Sequence, residues 1–168
     1  IRPMKRIHQK AYWGAVGAYM ARRVLILLLA MPIQALAQYT YTTNNGSITI
    51  TGYSGLGGSV VIPSAIGGKP VTCIGGWAFD SCYSLTSVVL PDSVKEIEEY
   101  AFRECSALKN VVIGSGVTNI AFDAFSLCDS LTNFYVSIAN STYSSQDGVL
   151  LSNAKTQIIM YPKGVHGD

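Results

Sequence analysis

The sequence predicts an α/β repeat solenoid of 23-residue coils, each with a short parallel strand and a short helical turn, flanked at both ends by β-hairpins. Three observations predict it. Gapless 23-residue blocks begin at Ile74, Ile97 and Ile120; every block repeats I-x-x-x-A-F-x-x-C-x-x-L; and two apolar residues, spaced two apart, follow each of those leucines.

The elements can be taken in chain order. Residues 1–37 carry Arg2, Lys5, Arg6, Lys10, Arg22 and Arg23 and no acidic residue. Within them, Met20 to Ala37 has the layout of a signal peptide. Arg22 and Arg23 form a positive start, Val24 to Ile33 an apolar run, and Ala35-Leu36-Ala37 a small-x-small cleavage site ahead of Gln38. The run falls short of the roughly 20 apolar residues a transmembrane helix needs, and extending it upstream would place both arginines mid-span. Export with cleavage is therefore expected, with no membrane span afterwards, and residues 1–19 are read as an upstream extension without a fold.

Residues 38–73 are expected to form an N-terminal hairpin and an opening coil. Tyr39 to Thr43 and Ser47 to Gly52 are rich in β-formers and surround Asn44-Asn45-Gly46, a strong turn signal, so this hairpin should cap the first open edge. From Gly58 the S-V-V-I-P run reads as a strand with Val60 and Ile62 inward. The stretch up to Ile74 is longer than its counterpart in the repeats, which places an outward bulge at Gly67-Gly68.

Residues 74–142 hold the three repeats. A single coil cannot bury its own apolar side, so each must stack on a neighbour whose side chains point the same way. Like positions then superimpose: Phe79, Phe102 and Phe125; Cys82, Cys105 and Cys128; Leu85, Leu108 and Leu131. Strands pairing in parallel about 4.8 Å apart place Val88, Val111 and Phe134 in one inward row and Leu90, Ile113 and Val136 in another. The A-F-x-x-C segment is read as the helical turn on the convex side, its phenylalanines filling the coil. The L-x-x-L-x-L spacing is the strand register of a leucine-rich repeat. After Val136 the third block reads S-I-A-N-S-T in place of P-x-S-V, so an interruption of stacking is expected there. Residues 143–168 suggest a second hairpin or partial coil, with S-T-Y-S-S-Q-D-G-V-L-L and T-Q-I-I-M-Y-P flanking Asn153-Ala154-Lys155. No obvious polar cap follows, which leaves open a continuation of the array beyond Asp168.

The pattern I-x-x-x-A-F-x-x-C-x-x-L-x-x-V-x-L-P-x-S-V resembles the BspA-type leucine-rich repeats of bacterial surface and secreted proteins. The lead-in I-T-I-T-G-Y-S-G and the tail Y-S-S-Q-D-G-V-L resemble segments that flank such repeats, so the likeness runs from about Tyr39 to Gly164. It implies a solenoid fold and a role in adhesion or protein binding, with partners that differ between members.

Composition narrows function further. From Gln38 onward six Lys or Arg stand against ten Asp or Glu, a net charge of −4, and no basic stripe marks a nucleic-acid partner. Cys82, Cys105 and Cys128 sit beside the core phenylalanines, where a thiol serves as a small hydrophobe. No C-x-x-C pair is present, and coils spreading on the convex side would hold these cysteines too far apart to bond, so buried free thiols are expected. Cys73 is the leftover, with Cys82 its one candidate partner. The acidic group Glu96, Glu98, Glu99 and Glu104 alternates with Lys95 and Arg103 and reads as a solvated face. His166 is the one histidine of the body, which leaves no Ser-His-Asp or Cys-His set. Gly55-Leu56-Gly57-Gly58 precedes a strand where a phosphate loop needs a helix, and reads as a turn. Two N-x-S/T triplets start at Asn45 and Asn140. No catalytic residue, metal site or cofactor is expected.

What remains is the concave sheet, whose solvent-facing residues alternate with the inward rows. These are Ser87 and Val89, Asn110 and Val112, Asn133 and Tyr135: an apolar ridge beside a polar row. The expected function is an exported, non-enzymatic binding or adhesion module, secreted or on the cell surface, that meets a protein or other extracellular macromolecule through this ridge. The alternative is a structural spacer, or a fragment of a longer array, that displays another domain.

Overall fold

The computed structural model describes residues 38–164. The expected extension, signal peptide and cleavage site lie outside the described residues, as does His166. Among the described residues, no helix is long and apolar enough to cross a membrane.

The chain winds as a β-solenoid, and each coil contributes to two parallel sheets. One sheet has four strands: β3 (Gly58–Val61), β6 (Leu85–Val89), β8 (Asn110–Ile113) and β10 (Asn133–Val136), adjacent in that order. All three pairings are parallel, and Val60, Val88, Val111 and Phe134 lie side by side as one buried row. The second sheet joins β2 (Ser47–Tyr53), β5 (Lys69–Ile74), β7 (Glu96–Ile97) and β9 (Asn119–Ile120). The sequence pattern predicts only one strand per coil. The column Ile74, Ile97, Ile120 is visible in the sequence as a repeat position but not as a ladder, because two paired residues are too short to show an alternation.

The N-terminal hairpin forms as the Asn-Gly signal implies. β1 (Tyr39–Asn44) pairs antiparallel with β2 around Asn45 and Gly46, whose φ values of 46° and 82° belong to a tight turn with both central residues left-handed. Through β2 this hairpin covers the first edge of the second sheet. The expected bulge at Gly67-Gly68 is a two-residue turn between β4 (Ala65–Ile66) and β5, with φ of 58° and 77° at the glycines.

The expected α component is not found. Among the described residues there is no α-helix, and A-F-x-x-C is a run of turns. The reason lies in where its amides point. Phe79 N–H donates to Ala101 O of the next coil at 2.7 Å and Phe102 N–H to Ala124 O at 2.8 Å, so these donors bind across coils and not four residues back. Left-handed residues bracket the segment, Trp77 and Ser81 in the first repeat and Tyr100 and Glu104 in the second, and stop any right-handed run.

The cross-coil bonds also overturn the expected spreading of the coils on this side. Phe79 and Phe102 stack with centroids 4.8 Å apart, and Phe102 and Phe125 at 5.1 Å, the spacing of paired strands. Tyr53 extends the stack at its start, and Phe134 closes it edge-on against Phe125. This ladder, the Leu85, Leu108 and Leu131 column and the two sheets' inward rows form one continuous core.

The array changes after the third repeat. Val71, Val94 and Val117 form a fully buried column, and the next position, Asn140, is polar yet only 4% exposed. Beyond it the chain forms a three-stranded antiparallel sheet of β11 (Tyr143–Gln146), β12 (Val149–Ser152) and β13 (Ile158–Met160). The expected single hairpin is thus a meander. Its first turn, Asp147-Gly148, has φ of 52° and 82°; it is a D-G signal hidden inside what read as one long strand.

Candidate functional site

The residues expected on the open sheet face are brought together. Ser87, Asn110 and Asn133 are directly paired across β6, β8 and β10, and so are Val89, Val112 and Tyr135. Each row is one strand longer than expected: Ser59 pairs with Ser87, and Val61 with Val89. Sequence reasoning missed these two although it placed Val60 and Ile62 inward, because alternation along S-V-V-I already assigns Ser59 and Val61 to the opposite face.

The two rows differ in chemistry. In the apolar row Val61 and Tyr135 at the ends are 48% and 52% exposed, and Val89 and Val112 are half-buried between them. The polar row is cross-linked: Asn133 Nδ2 donates to Asn110 Oδ1 at 3.4 Å and to Thr132 Oγ1 at 2.9 Å. Neither row holds an ionisable group other than the Tyr135 phenol, so the face is neutral over four strands. An apolar groove of about 550 Å³ borders the ridge, lined by Val89, Val112, Tyr135, Pro91 and Gly114. Ser93 also lines it, and its buried Oγ has no hydrogen-bond partner among the described residues.

The cysteines are all free thiols. Cys105 Sγ donates to Phe79 O at 3.1 Å and Cys128 Sγ to Phe102 O at 3.0 Å, so these two column thiols tie their coils to the one before. This gives the Cys column a role beyond filling space: the thiol is small, buried and a donor. The neighbouring Cys128 and Cys82 thiols, together with burial, push the Cys105 thiol well up. Cys73, the candidate partner of Cys82, instead donates to Glu98 Oε1 at 3.4 Å. Burial first, then the Glu98 charge, pushes its thiol up to about 12.

The acidic group is solvent-facing in part only. Glu98 and Glu99 are exposed, whereas Glu96 lies in β7 and Glu104 is half-buried beside Arg103. Glu96 accepts from Asn119 Nδ2 at 2.7 Å and Glu98 from Gly76 N–H at 2.8 Å. Ligand atoms of Cys73, Glu96 and Glu98 lie within 4.8 Å of one another, the one group among the described residues whose spacing could hold a metal ion. The two N-x-S/T triplets part company: Asn45 is exposed on its turn, whereas Asn140 is buried with its amide fully engaged.

A family model and one solved structure agree with this architecture. The family model for the BspA type leucine rich repeat region matches residues 59–165 in six copies. A T. pallidum leucine rich repeat protein of known structure is 36% identical, with a TM-score of 0.57, over 62% of this chain and 48% of that one. A leucine-rich repeat protein from Bacteroides capillosus is 24% identical over 60% of this chain and 94% of its own, with a TM-score of 0.43. A leucine rich cell surface protein from Faecalibacterium prausnitzii is 20% identical over 74% and 60%, at 0.41. The chain thus spans about half the length of the T. pallidum protein. The curated proteins give no match.

Proposed function

Because the chain belongs to the BspA-type leucine-rich repeat family, we propose that it is a non-enzymatic, exported module that binds a protein or other extracellular macromolecule through the open face of its four-stranded sheet. The observation that carries this reading is the in-register row Val61, Val89, Val112 and Tyr135, left uncovered by any described part of the chain. Half-exposed valines and a tyrosine beside hydrogen-bonding Asn and Ser, with Asp92 at the edge of the bordering groove, match the make-up of a non-obligate interface with an apolar centre and a polar margin. Tyr135 is the natural anchor, since tyrosine combines large contact area with few rotors and a polar tip. Export and a place outside the cell rest on the leader pattern in Met20 to Ala37.

The test is a binding screen of the full chain against immobilised extracellular proteins and polysaccharides, repeated with Tyr135→Ala and Asn110→Ala. Loss of about tenfold or more in affinity for one partner with Tyr135→Ala, at unchanged thermal stability, supports the reading. Binding that is indifferent to both substitutions removes the sheet face from the interface. Absence of binding across the screen favours a spacer that displays another domain.

A further inference from the structure

A second surface, on the side of the coil that carries β5 and the short β7 and β9 strands, has a different chemistry. It is a groove of about 460 Å³ lined by Gly76, Trp77, Glu96, Glu98, Glu99 and Asn119. Trp77 is 53% exposed and leans on Tyr100, with centroids 4.6 Å apart. The indole thus lies half open to water beside three carboxylates.

The charges around it are unbalanced. Among the described residues the salt bridges join Arg103 to Asp80 and Glu104, and Lys163 to Asp129; none reaches Glu96, Glu98 or Glu99. Lys95 is adjacent in sequence, but its ammonium lies against Gly116, where it acts on Asp92. Glu96 and Glu98 nevertheless hold carboxylate oxygens within 4.8 Å of each other. A cation entering the groove would meet both. A cation already borders the indole: the Arg103 guanidinium carbon lies 5.6 Å from the Trp77 ring centroid, within the range of a cation–π contact.

We propose that this groove accepts a lysine or arginine side chain from a basic segment of a partner protein, with the cationic head between Glu96 and Glu98 and the aliphatic stem along Trp77. Each part of the occupant has a counterpart: carboxylates for the charge, and the exposed half of the Trp77 indole for the methylenes. A second copy of this chain is a poor occupant, because its body carries −4. The surface is separate from the sheet face around Tyr135, so either can fail without the other.

Titration calorimetry of the full chain with hexalysine, and with hexaglutamate as control, tests the proposal. Glu96→Gln with Glu99→Gln removes charge while keeping an acceptor for Asn119, and Trp77→Leu removes the ring. Hexalysine should bind saturably at roughly 0.02 M salt and weaken strongly at roughly 0.5 M. The carboxylate double variant and Trp77→Leu should each weaken it about fivefold or more, and Tyr135→Ala should leave it unchanged. If the double variant lowers the urea midpoint, Glu96→Gln alone takes its place, with a weakening of about twofold or more expected. Equal affinity of wild type and folded carboxylate variants overturns the proposal. So does the absence of saturable hexalysine binding, including the case in which Zn²⁺ or Ca²⁺ alone binds and the double variant abolishes it.

Discussion

Phe102 and Phe125 stack with centroids 5.1 Å apart and ring planes 3° from parallel, the closest alignment in an aromatic column that runs from Tyr53 to Phe134. Phe102 is fully buried and sits mid-column, with a ring on each face. Phe102→Ala should therefore cost about 3 to 5 kcal/mol in urea unfolding, the range for deleting a core aromatic whose surroundings cannot collapse. Phe125→Ala should cost less, because Phe125 keeps 5% exposure and meets Phe134 edge-on. Equal costs at the two positions would deny the column its mid-stack rigidity.

The thiols should separate by reactivity. Cys82 is half-buried and lines a surface groove with Tyr83 and Ser84, whereas Cys105 and Cys128 are almost wholly inaccessible. Cys73, pushed up to about 12, exposes little surface and at pH 8 holds only about one thiolate in ten thousand. Iodoacetamide on the native chain should label Cys82 first, and the other three only after denaturant is added. Mass spectrometry of the labelled peptides checks this, and early labelling of Cys105 would place its thiol outside the core.

The core was legible because 23-residue recurrence names columns directly: the stack of Phe79, Phe102 and Phe125 and the inward row of Val88, Val111 and Phe134 are both where the blocks put them. Alternation around Val89, Val112 and Tyr135 likewise made the open face legible. What stayed hidden is decided by contacts between coils. A two-residue ladder at Glu96–Ile97 leaves no period to detect. The A-F-x-x-C segment looks helical locally, and only the pull of Ala101 O and Ala124 O on the Phe79 and Phe102 amides sets it otherwise. The Trp77 groove is not legible in the sequence, because acids interleaved with Lys95 and Arg103 have the pattern of a solvated face and Trp77 lies one coil away from them.

Asp92 clasps the next coil. Its Oδ1 accepts from Ser115 N–H at 2.6 Å, and Gly116 beside it has no room for a Cβ against the Asp92 carbonyl. That hydrogen bond from the Ser115 amide, more than the nearby Lys95, holds the carboxyl below its ordinary 3.8. A depressed folded value stabilises the fold above the unfolded pKa, and the contribution disappears as pH falls through the folded one. Wild type should thus lose stability below about pH 3.8, and Asp92→Asn should flatten that part of the acid limb. Urea midpoints of both proteins across the acid range provide the comparison; parallel curves would mean that the clasp does not discriminate the charged form.

Asn140 stands where three coils place valine, and the substitution converts a stacking position into a terminator. Its Nδ2 donates to Gly114 O at 2.9 Å and Val117 O at 3.0 Å, while Oδ1 accepts from Thr142 N–H at 2.9 Å and Tyr143 N–H at 2.7 Å. One buried amide therefore satisfies four backbone groups at the point where parallel pairing gives way to the β11–β13 sheet. Valine would restore the column's shape and orphan those groups, so Asn140→Val should destabilise by about 2 to 4 kcal/mol despite its greater hydrophobicity. Asn140→Asp should also destabilise, because a carboxylate cannot donate to the two carbonyls. The damage should be local: amide exchange ought to accelerate in β11 and β12 well before β6 and β8. If Asn140→Val is neutral, or if exchange rises uniformly through the coils, the side chain is not what turns the array from parallel to antiparallel pairing.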